Sequence, residues 1–221
     1  MSKKISPSLM CCDFINLKTQ LDCFKNCGIE YLHIDVMDGE FVPNYALGVD
    51  FIKQLKLYTD IPLDIHLMID NPDLKLNYIP FSKGDIVSIH CETSKHLQRT
   101  ITEIKNRGAK AFVAINPATS LSSLEEIIND VDGVLIMTVN PGFASQKLIP
   151  STINKIQKLK KQISLLNKNI EIEVDGNVSF ENAKIMSEAG ADIFVAGTSS
   201  VFKTNNLNEN ISILRQIISA I

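Results

Sequence analysis

An imidazole and a carboxylate stand two residues apart in one short apolar run, His33-Ile34-Asp35, followed closely by Met37-Asp38-Gly39. In an extended strand alternate side chains share a face, so His33 and Asp35 point together while Ile34 and Val36 point the other way. A strand that turns His and Asp toward a protein interior is costly unless both are hydrogen-bonded or bind a metal. Further runs end in His66-Leu67-Met68, in Ile89-His90-Cys91-Glu92, and in Glu173-Val174-Asp175-Gly176-Asn177. His33, Asp35, His66 and Asp175 together make a mixed nitrogen and oxygen donor set suited to one divalent ion, zinc first, with manganese, cobalt or iron as alternatives. The competing reading of the same four residues is a hydrogen-bonded pocket without metal. The fourth histidine, His96, falls in a helical segment and is expected in solvent.

Two short loops suggest the ligand. Gly142-Phe143-Ala144-Ser145 and Gly197-Thr198-Ser199 combine small residues with free backbone donors, and Thr198 and Ser199 add hydroxyls before an apparent short helix. Backbone N–H groups and a helix N-terminus are a ready site for phosphate. Together the loops point to a small phosphorylated ligand.

These residues need a scaffold that gathers strand ends. Eight apolar, β-branched runs recur: Ile5 to Met10, Tyr31 to Val36, Pro62 to Met68, Ile86 to His90, Ala111 to Ile115, Gly133 to Thr138, Ile170 to Val174 and Ile193 to Ala196. Amphipathic segments lie between them, among them Phe14 to Asn26, Lys95 to Arg107 and Ser151 to Leu165, with Gly28, Gly108 and Gly190 at helix stops. Strands that are apolar throughout suit a parallel sheet covered on both faces. Eight units at roughly 28 residues each predict an α/β fold, a single (β/α)8 TIM barrel, with functional residues at the C-terminal strand ends. A doubly wound sheet is the rival, but the turn after the first run, Ser8-Leu9-Met10-Cys11-Cys12-Asp13, lacks its glycines. No linker or composition shift divides the chain, so residues 1–221 are read as one domain.

The chain has 221 residues, 45% hydrophobic and 21% charged, with a net charge of −3. This balance excludes disorder and argues against a nucleic-acid surface. No apolar run is long enough for a membrane span, and no signal-peptide core follows Met1. The five cysteines are odd in number and clustered, which suits reduced thiols in the cytoplasm. Cys23 and Cys27 sit four apart without a second thiol pair, so they read as ordinary helix residues. Asn177-Val178-Ser179 and Asn210-Ile211-Ser212 match the glycosylation pattern but carry no weight without export.

The motifs, taken in order, resemble the ribulose-phosphate 3-epimerase family from Ile5 to about Phe202. They are Ile5-Ser6-Pro7-Ser8, His33 to Gly39 with Phe41-Val42-Pro43-Asn44, Asp64 to Met68, Asn116 to Thr119, Met137 to Phe143, Glu173 to Gly176, and Val195-Ala196-Gly197. The resemblance implies epimerisation of a phosphorylated ketose at C3, through an enediolate, with one divalent metal on His33, Asp35, His66 and Asp175. Inverting C3 needs a base on one face and an acid on the other, and Asp35 and Asp175, from strands well apart around the ring, are expected to flank the substrate as that pair. Ser8 matches a substrate-contacting serine, and Met37, Met68 and Met137 match pocket methionines. His66, Gly176 and Asn177 join Gly142 to Ser145 and Gly197 to Ser199 in the expected substrate set. A homo-oligomer is implied as well.

Departures bear on the substrate. The family commonly has glycine at the positions of Ser145 and Asn177, so the Ser145 Cβ is expected to crowd the anion. Leu9-Met10-Cys11, Asn177 and Gly197-Thr198-Ser199 are closer to a branch converting D-allulose 6-phosphate to D-fructose 6-phosphate. The family default converts D-ribulose 5-phosphate to D-xylulose 5-phosphate. A phosphosugar lyase of the hexulose-phosphate synthase type would need a lysine within Asp35-Val36-Met37-Asp38, which has none. A noncatalytic phosphosugar-binding barrel is disfavoured by the presence of both aspartates and both histidines.

Overall fold

All eight apolar runs become strands. The computed structural model describes residues 2–166 and 168–220. Its strands are β1 (Lys4–Pro7), β2 (Leu32–Asp38), β3 (Tyr45–Ala46), β4 (Leu63–Met68), β5 (Ile86–His90), β6 (Lys110–Ile115), β7 (Gly133–Met137), β8 (Glu171–Asp175) and β9 (Ile193–Ala196). They form one sheet in the order β1-β9-β8-β7-β6-β5-β4-β2-β3. Every neighbouring pair is parallel except β2 with the two-residue β3. Ser8, just beyond β1, makes a parallel bridge with His33 and brings the two ends of the eight-stranded parallel sheet together. The expected barrel of eight parallel strands is therefore present.

The helices are α1 (Leu17–Asn26), α2 (Val49–Tyr58), α3 (Pro72–Lys75), α4 (Leu97–Asn106), α5 (Ser151–Leu165), α6 (Phe180–Ala189) and α7 (Leu207–Ser219). Three expectations need correction. The first strand stops at Pro7, because Leu9–Cys11 is a 3-10 turn, and the first helix starts at Leu17 after a second turn at Phe14–Asn16. Asp13 drives that second turn by accepting from the Ile15 N–H. Between β6 and β7 the described residues hold a 3-10 turn, Leu121–Leu124, in place of a helix. There Ser120 accepts from Ser122 N–H while Ser123 donates to the Ser120 carbonyl, local bonds that compete with helix formation.

Packing divides the barrel into an apolar outside and a polar inside. Outward residues such as Ile34, Ile65, Val87, Val113, Ile136 and Val174 are buried under the helices. Each such Ile or Leu contributes about 1.5–3 kcal/mol, which offsets the cost of polar groups within. Tyr31, Ile86, Phe112 and Ile193 plug the barrel floor. Gly133 makes room for that plug, since a Cβ there would lie 2.3 Å from Phe112 Cζ. Glu171 lies on the floor as well, paired with Lys4 and with Lys110 Nζ at 2.6 Å.

Candidate active site

Strand register assembles the centre. β2 and β4 pair so that His33 lies beside Asp64 and Asp35 beside His66. Asp175, at the end of β8, completes the group. His33 Nε2 stands 3.3 Å from Asp35 Oδ1 and 3.9 Å from Asp175 Oδ2. His66 Nδ1 stands 3.7 and 3.5 Å from the same two oxygens. The two aspartates thus converge on one point from strands separated by β1 and β9.

The donor set fits a cation. One ligand atom from each of His33, Asp35, His66 and Asp175 lies within 4.8 Å of all the others. Tetrahedral donors about 2.1 Å from a zinc ion stand about 3.4 Å apart, close to the spacings seen. His33 Nε2 and His66 Nδ1 are buried nitrogens without a hydrogen-bond partner, an arrangement that is costly unless something binds them. Burial opposes charge on His33, yet Asp64 and Asp35 raise its pKa well above the usual imidazole value. Burial likewise opposes charge on His66, and Asp175 and Asp35 raise its pKa. Burial alone would lift Asp35, but His33 and His66 hold it below the carboxylate range. The cluster therefore demands positive charge at its centre, from protons or from a metal that competes with them.

A second layer orients the first. His33 Nδ1 lies 2.6 Å from Asp64 Oδ2, which also accepts from Ser6 Oγ at 2.8 Å. That contact places the proton on Nδ1 and leaves Nε2 to face the centre. Glu173 sits beneath, 3.6 Å from His33 Nδ1, and burial beside Asp64 raises its pKa well above the carboxylate range. Ser6, Asp64 and Glu173 stand within the sequence motifs but received no role there, although their strand positions carried the signal. Each is one alternate residue below a residue that reading did select.

Above the centre opens a cavity with about 570 Å³ of empty volume. Ser8, Asp35, Asp175 and all three predicted methionines, Met37, Met68 and Met137, line it. So do the predicted Gly142, Phe143, Ala144 and Ser145, and Gly176 with Asn177. Gly197, Thr198 and Ser199 complete the expected set. His66 is fully buried and does not line the cavity; it faces the two carboxylates through Nδ1. Met10, Cys11, Asn140 and Gln146 also line the cavity and were missed. His96 is exposed, as expected. All five cysteines are free thiols, and Cys23 and Cys27 both donate to Asn208 Oδ1.

The two phosphate-type loops meet, with Ser145 Oγ 3.3 Å from Thr198 Oγ1. Gln146 braces the first by donating to the Asn140 and Phe143 carbonyls. Asn177 Nδ2 in turn donates to the Gln146 carbonyl at 2.7 Å. Ser145 and Asn177 have φ of +63° and +47°, the left-handed region that favours glycine. The helix expected directly after Ser199 is absent. Residues 198–203 form successive turns, and α7 begins only after Asn206 caps it at Glu209 N–H.

The ribulose-phosphate 3 epimerase family model matches residues 4–202. A ribulose-phosphate 3-epimerase of Bacillus subtilis is 44% identical over 216 residues, covering 96% of this chain and 98% of the relative. A chloroplastic ribulose-5-phosphate-3-epimerase of Arabidopsis thaliana is 44% identical, covering 94% of this chain and 74% of the relative. One from Methanocaldococcus jannaschii is 40% identical, with 96% and 90% covered. Among solved structures, a 3-keto-L-gulonate-6-phosphate decarboxylase from Vibrio cholerae superposes with TM-score 0.71 at 11% identity, covering 100% and 99% of the two chains. At that identity the likeness shows the fold alone.

Proposed function

The chain belongs to the ribulose-phosphate 3 epimerase family, and on that premise we propose that it converts D-ribulose 5-phosphate to D-xylulose 5-phosphate. The observation that carries this reading is the convergence of Asp35 and Asp175 on the two unpartnered imidazole nitrogens at the floor of a loop-rimmed cavity.

Each aspartate divides its oxygens between two tasks. Asp35 turns Oδ1 toward the imidazoles, while Oδ2 accepts from Ser8 Oγ at 2.7 Å on the cavity wall. Asp175 turns Oδ2 toward the imidazoles, leaving Oδ1 for the substrate. One carboxylate removes the C3 proton and the other returns a proton to the opposite face, their roles exchanging in the reverse direction. A divalent ion held by His33, Asp35, His66 and Asp175 supplies Lewis-acid stabilisation for negative charge developing on the ketose oxygens. Ser8 holds Asp35 in one rotamer. Met37, Met68 and Met137 shape an adaptable, water-poor wall that does not compete for the sugar oxygens. Backbone N–H groups and hydroxyls of the 142–145 and 197–199 loops take the phosphate.

We read zinc as the resident ion, and the chain as one barrel domain working as a homo-oligomer in the cytoplasm. Free thiols suit that compartment, and among the described residues no helix is long and apolar enough to cross a membrane. The deciding assay compares turnover of one enzyme batch on D-ribulose 5-phosphate and D-allulose 6-phosphate. Faster turnover of the pentulose is expected. Faster turnover of the hexulose would move the chain to the other branch.

A further inference from the structure

His66 reaches the centre through Nδ1, and its other ring nitrogen enters a line of contacts, running from the buried His90 to the exposed rim, that the proton-transfer chemistry does not use. His66 Nε2 lies 2.9 Å from His90 Nε2, and His90 Nδ1 lies 3.1 Å from Glu92 Oε2. His90 is held from both sides: its ring lies end to end with that of His66, centroids 5.0 Å apart, and meets Phe41 at 4.6 Å. Glu92 is fixed in turn. Its Oε1 accepts from Asn116 N–H at 2.8 Å and from the Thr119 hydroxyl. The 116–119 loop carrying those donors is clamped by Lys155 Nζ, which donates to the carbonyls of Asn116, Pro117 and Thr119 at 2.7–2.9 Å.

Donor and acceptor chemistry sets the direction of this line. A carboxylate engaged by N–H and O–H donors only accepts, so His90 Nδ1 carries the hydrogen. A neutral ring with its hydrogen on Nδ1 offers a lone pair at Nε2. His66 Nε2 must then be the donor, and His66 Nδ1 keeps its lone pair facing Asp35 and Asp175. From this geometry we propose that His90 and Glu92 are positioning residues that hold His66 in the one tautomer and ring orientation able to bind the cation, an inference resting on the metal reading above. They do for His66 what Asp64 and Ser6 do for His33, but through one more imidazole and from the outer rim of the barrel. The ring nitrogen opposite a metal is generally fixed by such a partner, and removing the partner weakens metal binding by about 10–100-fold.

The test uses zinc affinity, measured by competition with a chromophoric chelator, on wild type, His90→Phe, His90→Gln and Glu92→Gln. His90→Phe keeps an aromatic ring in that position but removes the acceptor, so zinc binding should weaken by about 10–100-fold. His90→Gln, whose carbonyl can accept from His66 Nε2–H, should recover part of that loss. Glu92→Gln, on the rim, should fold as wild type and show a smaller loss, which keeps the test decisive if the buried variants misfold. In 15N-histidine-labelled, zinc-loaded wild type, the His66 ring proton should reside on Nε2. Affinities of His90→Phe and Glu92→Gln within twofold of wild type, or a His66 proton on Nδ1, would overturn the relay while leaving the metal site standing. Wild type that binds no divalent ion would overturn the metal reading itself and the relay with it.

Discussion

Gly176 follows Asp175 directly, and replacing it by alanine should damage both fold and chemistry. Its φ is +120°, and a Cβ there would lie 2.5 Å from Val139 Cγ2 and 2.8 Å from the Val139 backbone nitrogen. Side chains rarely adopt that backbone conformation, at a cost of about 1–3 kcal/mol. Forcing the contact with Val139 adds about 1–3 kcal/mol, because backbone cannot step aside as a flexible side-chain tip can. The reduced entropy of the unfolded alanine chain returns about 0.4–1 kcal/mol. A net loss of about 1–6 kcal/mol follows from these terms. Gly28→Ala is the internal control: its φ is +63° with nothing within 4 Å of the new Cβ, so the steric term drops out, and the backbone cost less the entropy gain leaves about 1 kcal/mol. Urea unfolding with chelator present compares the two without a contribution from bound metal. Thr138 Oγ1 donates to the carbonyls of both Asp175 and Gly176, so a shift at 176 carries Asp175 with it. A displacement of about 1 Å there lowers turnover by about 100-fold. Gly176→Ala that is no less stable than Gly28→Ala, or that turns over as wild type, would refute this reasoning.

Two further outcomes are expected. Asp175→Asn should fold normally, bind metal more weakly and lose about 10²–10⁴-fold in kcat, since an acid/base group and a metal ligand vanish together; near-wild-type rate would remove Asp175 from the proposed mechanism. Glu171 is buried, which alone would raise its pKa, but Lys110 and Lys4 lower it. Its folded carboxyl therefore binds fewer protons than the unfolded one. The stability it contributes is present above the unfolded pKa of about 4.3 and is lost as pH falls through the folded value. Glu171→Gln should lower stability at neutral pH and flatten the acid limb of the stability curve. An unchanged acid limb in denaturant titrations would contradict that assignment.

Apolar runs marked all eight parallel strands because both faces of such a sheet are covered, and hydrophobicity alone shows this. Their ends were harder to read. Leu9-Met10 continues the apolar run of β1 but belongs to a 3-10 turn, and the two residues of β3 carry no periodicity at all. His33 and Asp35 were legible because a period of two puts them on one face. The partners of those residues depend on register between strands distant in sequence, and no local pattern encodes it. Thus His33 meeting Asp64, and His66 meeting His90, emerged only from the structure. Ser145 and Asn177 show the same boundary from the other side: the resemblance raised an expectation of glycine there, and both residues hold the positive φ that favours glycine.

In the proposed reaction the His33, Asp35, His66 and Asp175 cluster governs proton exchange at C3. The direct measurement incubates D-ribulose 5-phosphate in D2O with zinc-loaded protein and with the same protein stripped by chelator, and follows C3 by NMR. Zinc-loaded protein should place deuterium at C3 of the epimerised product. Stripped protein should incorporate almost none until zinc is restored. Absence of C3 deuterium with loaded protein, or equal incorporation without metal, would contradict the account.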